Sequence, residues 1–316
     1  MRVDITEQIM GWAKETDPLK APSVYWLNGL AGLGKTTIAY TVCKLLEEAG
    51  VPFASFCSRQ LDSKNSKLLI PTLCRDLAEL FSLYALDVLP VLESNPKIVD
   101  AKLHQQMDEL LAEPWQASIA RRDCLQVPVV VVDALDESDR GTDFLKELLR
   151  VVDSGELTGI KFLVTSRPDP TLVDTCKLFP ANAVCRLHEV DTANVQKDIE
   201  RYLFEALPDL KDEPKLVELA QRAGGLFIYA TTAVRFVSPP HPPFSAHEKR
   251  FQLRNMLNSW PTSAGRGDRL VVDEFYTSRS YQMLLGMTGS VMNACGSSIQ
   301  SSAQKAGSTC RPSWPQ

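Results

Sequence analysis

Three groups of residues in this sequence have types and spacings suited to phosphate chemistry. The first is Gly29-Leu30-Ala31-Gly32-Leu33-Gly34-Lys35-Thr36-Thr37, which fits G-x-x-x-x-G-K-[S/T]. Glycines at 29, 32 and 34 permit backbone angles closed to other residues and let N–H groups approach phosphate oxygens. A helix starting just after them turns its positive end to the same place. In such a loop Lys35 reaches the β- and γ-phosphates as a point charge, and the Thr36 hydroxyl ligates the Mg²⁺ that bridges them. Thr37 follows at the mouth of the loop, on the nucleotide side or simply as helix surface.

The second group closes the run Val127-Pro128-Val129-Val130-Val131-Val132-Asp133-Ala134-Leu135-Asp136-Glu137-Ser138. Asp133 is the expected Mg²⁺-side carboxylate, acting through water. A carboxylate beside four valines is costly without a cation. Of Asp136 and Glu137, one is suited to position and polarise an attacking water, and Glu137 is favoured. The alternative is that both acids merely open the helix that follows, where negative charge suits the dipole. The third group is Thr165-Ser166-Arg167-Pro168, in which Arg167 is the candidate γ-phosphate sensor; the alternative is a surface arginine ahead of a proline turn.

These residues need elements to hold them. Val24-Tyr25-Trp26-Leu27-Asn28 reads as a buried strand ahead of the glycine loop, and Thr36 to Glu48 has Ile38, Ala39, Val42, Leu45 and Leu46 at helical spacing. Phe53 to Cys57 is a second strand and Asp62 to Asn65 a turn. Leu68, Leu69, Leu73, Leu77 and Leu80 then mark a helix, and Ile98 to Leu111 another that Glu113-Pro114-Trp115 interrupts. The short, β-branched, acid-ended run at 129–133 is the pattern of a central parallel strand delivering carboxylates to the sheet's carboxyl edge, where open α/β sheets bind ligands. Pro128 lies at its start, where proline is tolerated.

Phe144, Leu145, Leu148, Leu149 and Val152 form one helix face, Ile160 to Val164 a strand after Gly159, and Ala183 to Leu187 a fifth strand. Beyond it the pattern is helical. Val195, Ile199, Tyr202 and Leu203 share a face, Pro214 opens a helix that Gly224-Gly225 stops, and Leu226 to Phe236 is apolar. Ser245-Ala246-His247-Glu248 is a capping box for a helix carrying Phe251, Leu253, Met256 and Leu257. The segment 286–316, rich in Ser, Gly and Cys, is expected to be a disordered tail.

The expected organisation is an N-terminal helix over 1–20, an α/β core over 21–190, a helical subdomain over 191–260 and a degenerate tail over 261–316. A length of 316 residues accommodates that plan. A formal net charge of -5 gives no support to a nucleic-acid partner. The eight cysteines are scattered without a C-x-x-C pair, and no histidine stands at ligand spacing to them, so neither a zinc site nor a disulfide framework is expected. No apolar run reaches the ~18 residues of a membrane span, and the N-terminus carries Asp4 and Glu7 where a signal peptide needs apolar residues. A cytoplasmic protein with reduced thiols and no membrane partner is the expectation.

Taken together, GLAGLGKTT, VVVVDALDES, FLVTSRPD and GGLFIYATTAVRFV resemble the motifs of a NACHT-type P-loop NTPase. The chain is most similar to the nephrocystin-like N-terminal NTPases of fungal NOD-like receptors in the signal-transducing ATPase (STAND) class, over roughly residues 5–260. The resemblance implies that Gly29 to Thr36 is Walker A, Val129 to Asp133 Walker B, and Thr165 to Arg167 sensor 1. It also implies a five-stranded parallel sheet with the sensor strand between the Walker A and Walker B strands. A switch that binds ATP or GTP with Mg²⁺, hydrolyses it slowly and self-associates would follow. Two rivals are a nucleotide-holding scaffold without turnover and a P-loop kinase; the D-A-L-D-E and T-S-R-P segments argue against the kinase. No effector domain, winged helix or repeat period is legible, so an incomplete, truncated switch that exchanges ADP readily is the expectation.

Overall fold

The computed structural model describes residues 3–17, 20–57, 68–121, 127–175, 179, 181–187, 189, 192–241 and 243–259. The turn read at 62–65 and the tail read from 261 lie outside them. Among the described residues the chain forms two compact units, one drawn from Ile5–Asn28 and Lys35–Cys185, the other from Gly29–Gly34 and the chain from Arg186 onward.

The first unit is built on parallel strands. Their elements run α1 (Val3–Lys14), β1 (Val24–Asn28), α2 (Lys35–Glu48), β2 (Phe53–Cys57), α3 (Leu69–Leu80) and α4 (Ser82–Ser94). Then come α5 (Leu103–Gln106), α6 (Glu113–Ile119), β3 (Val129–Asp133), α7 (Gly141–Asp153), β4 (Lys161–Ser166), α8 (Pro170–Thr175) and β5 (Val184–Arg186). The sheet order is β2-β3-β4-β1-β5, so β4 lies between the strand that precedes the glycine loop and the acid-ended strand. That is the expected α/β architecture, a five-stranded parallel sheet flanked by helices.

β1, β3 and β4 are buried at every position, as strands covered on both faces must be. Val24, Trp26, Val130, Val132, Phe162 and Val164 pack into one core with α3, α4, α6 and α7. On the other face α2 lies against β3 and β4. Parallel register aligns the strand ends: Asn28 pairs with Ser166, Leu27 with Thr165, and Cys57 with Asp133. One row of polar residues at the carboxyl edge results.

Some expectations need correction. In α3 only Leu69, Leu73 and Leu77 of the leucine stripe are buried, because four-residue spacing holds one face; Leu68 and Leu80 are exposed. Glu113-Pro114-Trp115 does not interrupt its helix. α5 continues through a π-turn, Met107–Ala112, straight into α6. The π-turn lets the Glu113 N–H bond five residues back to the Asp108 carbonyl. Pro114 has no N–H to offer Leu110, four residues before it. That carbonyl instead accepts from the Tyr84 hydroxyl at 2.6 Å and the Cys74 thiol at 3.4 Å. A tertiary donor therefore substitutes for the missing helical one.

The second unit contains α9 (Thr192–Ala206), α10 (Pro214–Ala223), α11 (Phe227–Val237) and α12 (Ala246–Ser259). Gly224 ends α10 in the left-handed conformation, as its sequence position suggests. The capping box forms: the Glu248 carboxylate accepts from the Ser245 N–H at 2.8 Å, and Ser245 Oγ accepts from the Glu248 N–H at 3.3 Å. Leu253, Met256 and Leu257 are buried, whereas Phe251, read as part of that face, is exposed because it falls on the opposite side of the helix.

Candidate functional site

At the carboxyl edge of the sheet, β3 delivers Asp133 with 5% of its surface exposed. Its two oxygens are engaged differently. Thr165 Oγ1, from the adjacent β4, donates to Oδ1 at 2.5 Å, and Cys57 Sγ, from β2 on the other side, lies 3.6 Å from Oδ2. The same Thr165 Oγ1 accepts the Ala134 N–H at 3.0 Å. One threonine thus fixes both the carboxylate and the chain leaving it. Behind the carboxylate, Cys43 of α2 is pushed up to about 12 by burial first and by the Asp133 charge second. Its thiol stays protonated and neutral.

Ala134 has φ 59° and ψ 45°, the only left-handed non-glycine among the described residues. A left-handed alanine costs roughly 1–2 kcal/mol, and such strain persists where the surroundings impose it. Here it swings the chain from β3 into a single 3₁₀ turn, Leu135–Glu137, which carries the two further acids. Asp136 accepts from the Arg167 N–H at 2.9 Å and pairs with its guanidinium at 3.3 Å; Glu137 pairs with the same guanidinium at 3.0 Å. The acids therefore do not open the next helix, which starts at Gly141 and carries Asp143 in its first turn. Asp136 is the more enclosed, with its side chain 10% exposed against 27% for Glu137.

Lys35 opens α2 and is 8% exposed, with Thr36 and Thr37 half-buried behind it. The first unit thus sets Thr165 against Asp133 and Arg167 against Asp136 and Glu137, and seats Lys35, Thr36 and Thr37 at the head of α2.

The glycine loop belongs to the second unit, where apolar side chains meet it closely. Gly32 has φ 81°, and a Cβ there would stand 2.5 Å from Ile228 Cγ2. A Cβ at Gly29 would stand 2.8 Å from Leu187 Cβ, and one at Gly34 3.7 Å from the Phe227 ring. The Gly32 carbonyl accepts from the Ile228 N–H at 3.1 Å. Glycine is required at 29 and 32 for this packing.

Sequence reasoning missed Cys57, the left-handed Ala134, and Ile228 with Phe227. Cys57 had a usable signal, since it ends a strand of the same length as the acid-ended one. The other two depend on long-range placement.

A G-x-x-x-x-G-K-T segment joining β1 to α2, in a parallel sheet ordered β2-β3-β4-β1-β5, defines a nucleotide-binding P-loop NTPase. The family described as Nephrocystin 3, N-terminal matches residues 6–167, just over half of the chain, and the chain belongs to that family. No curated protein matches it. Several solved structures are similar to it at low identity. Domain III of the replication initiation protein DnaA from Thermotoga maritima is 14% identical with a TM-score of 0.43, covering 80% of this chain and 90% of that one. PCH-2 from C. elegans is 15% identical with a TM-score of 0.44, covering 81% and 66%. A chain from a structure of katanin self-assembly is 18% identical with a TM-score of 0.41, covering 88% of each. Among the described residues no helix is long and apolar enough to cross a membrane.

Proposed function

We propose that this chain is a NACHT-type switch of the STAND class that binds ATP, or GTP, with Mg²⁺ and hydrolyses it slowly. The observation that carries the reading is the cluster at the sheet's carboxyl edge, where Thr165 holds Asp133 and Arg167 holds Asp136 and Glu137. In this reading residues 1–20 are an N-terminal helix, 21–190 the nucleotide core, 191–260 a helical subdomain and 261–316 a tail. The protein acts in the cytoplasm, in a defence or self-recognition type of pathway, through self-association or protein partners, and without nucleic acid or membrane.

Backbone N–H groups of Gly29 to Gly34 cradle the phosphates, and Lys35 neutralises the β- and γ-oxygens. Thr36 and, through water, Asp133 would hold the Mg²⁺, with Thr37 beside them; a hydroxyl and a carboxylate are the hard oxygen donors this ion takes. Bound there, the ion would supply charge neutralisation between the β- and γ-phosphates. Glu137, the more open acid, draws the proton of the attacking water, with Asp136 as its substitute. Arg167 answers to the γ-phosphate.

One observation favours a second reading, a nucleotide-holding scaffold without turnover: both acids are already paired with Arg167, which occupies the carboxylates that would orient the attacking water. Phosphate release and thermal melts with Mg²⁺ and ATP separate the two. Wild type should gain about 2.7 kcal/mol of stability at a hundred times its dissociation constant, and Lys35→Ala should lose that gain. Glu137→Gln should keep the gain while turnover falls about 100-fold. An unchanged gain in Lys35→Ala would refute the site; no phosphate release by wild type would select the scaffold.

A further inference from the structure

We infer that Ile228, at the start of α11, is a positioning residue for the phosphate-binding loop, setting which way the loop's amides face before any nucleotide arrives. The inference rests on the nucleotide-binding reading for its purpose, but on the contacts of Gly32 for its mechanism.

Two independent contacts converge on Gly32. Its carbonyl accepts from the Ile228 N–H at 3.1 Å, and its Cα faces Ile228 Cγ2 so closely that an added Cβ would stand 2.5 Å away. In a trans peptide the C=O and the following N–H point in opposite directions. Drawing the Gly32 carbonyl toward α11 therefore aims the Leu33 N–H to the other side of the chain. A loop that binds an anion through its amides needs that orientation, and a left-handed glycine is otherwise free to rotate the peptide away.

The anchor is itself held from behind. Ile228 is the second residue of α11, where helix N–H groups have no intrahelical acceptor, so donating to Gly32 costs the helix nothing. Its neighbour Phe227 is 5% exposed, packs its ring 6.5 Å from that of Tyr202 on α9, and stands 3.7 Å from where a Cβ at Gly34 would lie. The loop's conformation is thereby tied to α9 and α11, and preorganisation rather than direct contact with a ligand is what α11 supplies.

The test uses the full chain and two variants of the same helix. Ile228→Ala removes the side-chain contact with Gly32; Val237→Ala removes a fully buried side chain at the far end of α11. Amide hydrogen exchange is read in the nucleotide-free protein over peptides spanning 29–35, and affinity by titration with a fluorescent ATP analogue and Mg²⁺. We expect Ile228→Ala to speed exchange of the loop and weaken nucleotide binding about tenfold, since small misplacements of binding groups cost that order. Val237→Ala, though at least as destabilising in a thermal melt, should leave both within twofold of wild type, because its contacts lie away from the loop. Loop exchange unchanged in Ile228→Ala, or equally altered in Val237→Ala, overturns the inference. Failure of wild type to bind nucleotide would instead refute the proposed function, and the exchange measurement would still decide the role of Ile228.

Discussion

Strand β4 buries polar side chains at both of its ends, and the two ends differ in kind. At the amino end Lys161 is 5% exposed. Its ammonium donates to the carbonyls of Trp12 and Glu15 at the end of α1 and stands 5.2 Å from the centre of the Trp12 ring. Burial holds it below the usual lysine value. At the carboxyl end Thr165 and Arg167 contact Asp133, Asp136 and Glu137. A carboxylate oxygen accepts more than one donor, so these acids keep acceptor capacity for a cation or water, whereas Lys161 is enclosed by main-chain carbonyls and a ring that no ligand replaces. Buried polarity by itself does not mark a site. What distinguishes the carboxyl end is three carboxylates and their donors, gathered from neighbouring strands at one edge.

The comparison makes opposite demands on substitutions at the two ends. Lys161→Ala has the largest expected effect on folding, about 3 kcal/mol in denaturant unfolding, because two buried carbonyls lose their donor and the stem leaves a gap. Nucleotide affinity of the folded fraction should be unchanged; a tenfold loss would make the amino end part of the site. Thr165→Val, of nearly the same shape, should cost about 1–2 kcal/mol through the hydrogen bond to Asp133 and the unsatisfied Ala134 N–H. Here the Mg²⁺ dependence of nucleotide binding should weaken too, and a stability loss without that change would reduce Thr165 to a structural role like that of Lys161. Ala134→Gly should have the smallest effect, within about 1 kcal/mol of wild type in denaturant midpoint, since relief of left-handed strain is offset by backbone entropy. A clear stabilisation together with slower phosphate release would show that the strain serves the acids of the turn.

Each end also shows how far local pattern reaches. β1, β2 and β3 were legible because apolar β-branched and aromatic runs bounded by turn residues have few other uses. β4 was legible as a strand, but its Lys161 reads locally as an ordinary solvent-facing lysine; only the return of α1 to that edge, with Trp12 also donating to the Pro22 carbonyl at 2.7 Å, buries it. The leucine stripe of α3 overreached at Leu68 and Leu80, since spacing identifies a face but not how wide a face the neighbours cover. Pro114 misled for a related reason. Its missing hydrogen bond is visible in sequence, whereas Tyr84 and Cys74, which satisfy the stranded carbonyl, lie 26 and 36 residues away from Leu110.

By itself the sequence determined the parallel α/β class, the glycine loop between a strand and a helix, the acid-ended strand and the capping box of α12, because each is a contiguous pattern whose physics is local. Only the tertiary structure decided that β4 would set Thr165 against Asp133, that one guanidinium would hold both Asp136 and Glu137, and that Ile228 would reach back to Gly32. Those contacts join residues between 30 and about 200 positions apart, and a side chain's partner across such distances is fixed by strand order and helix packing, which local propensity does not encode.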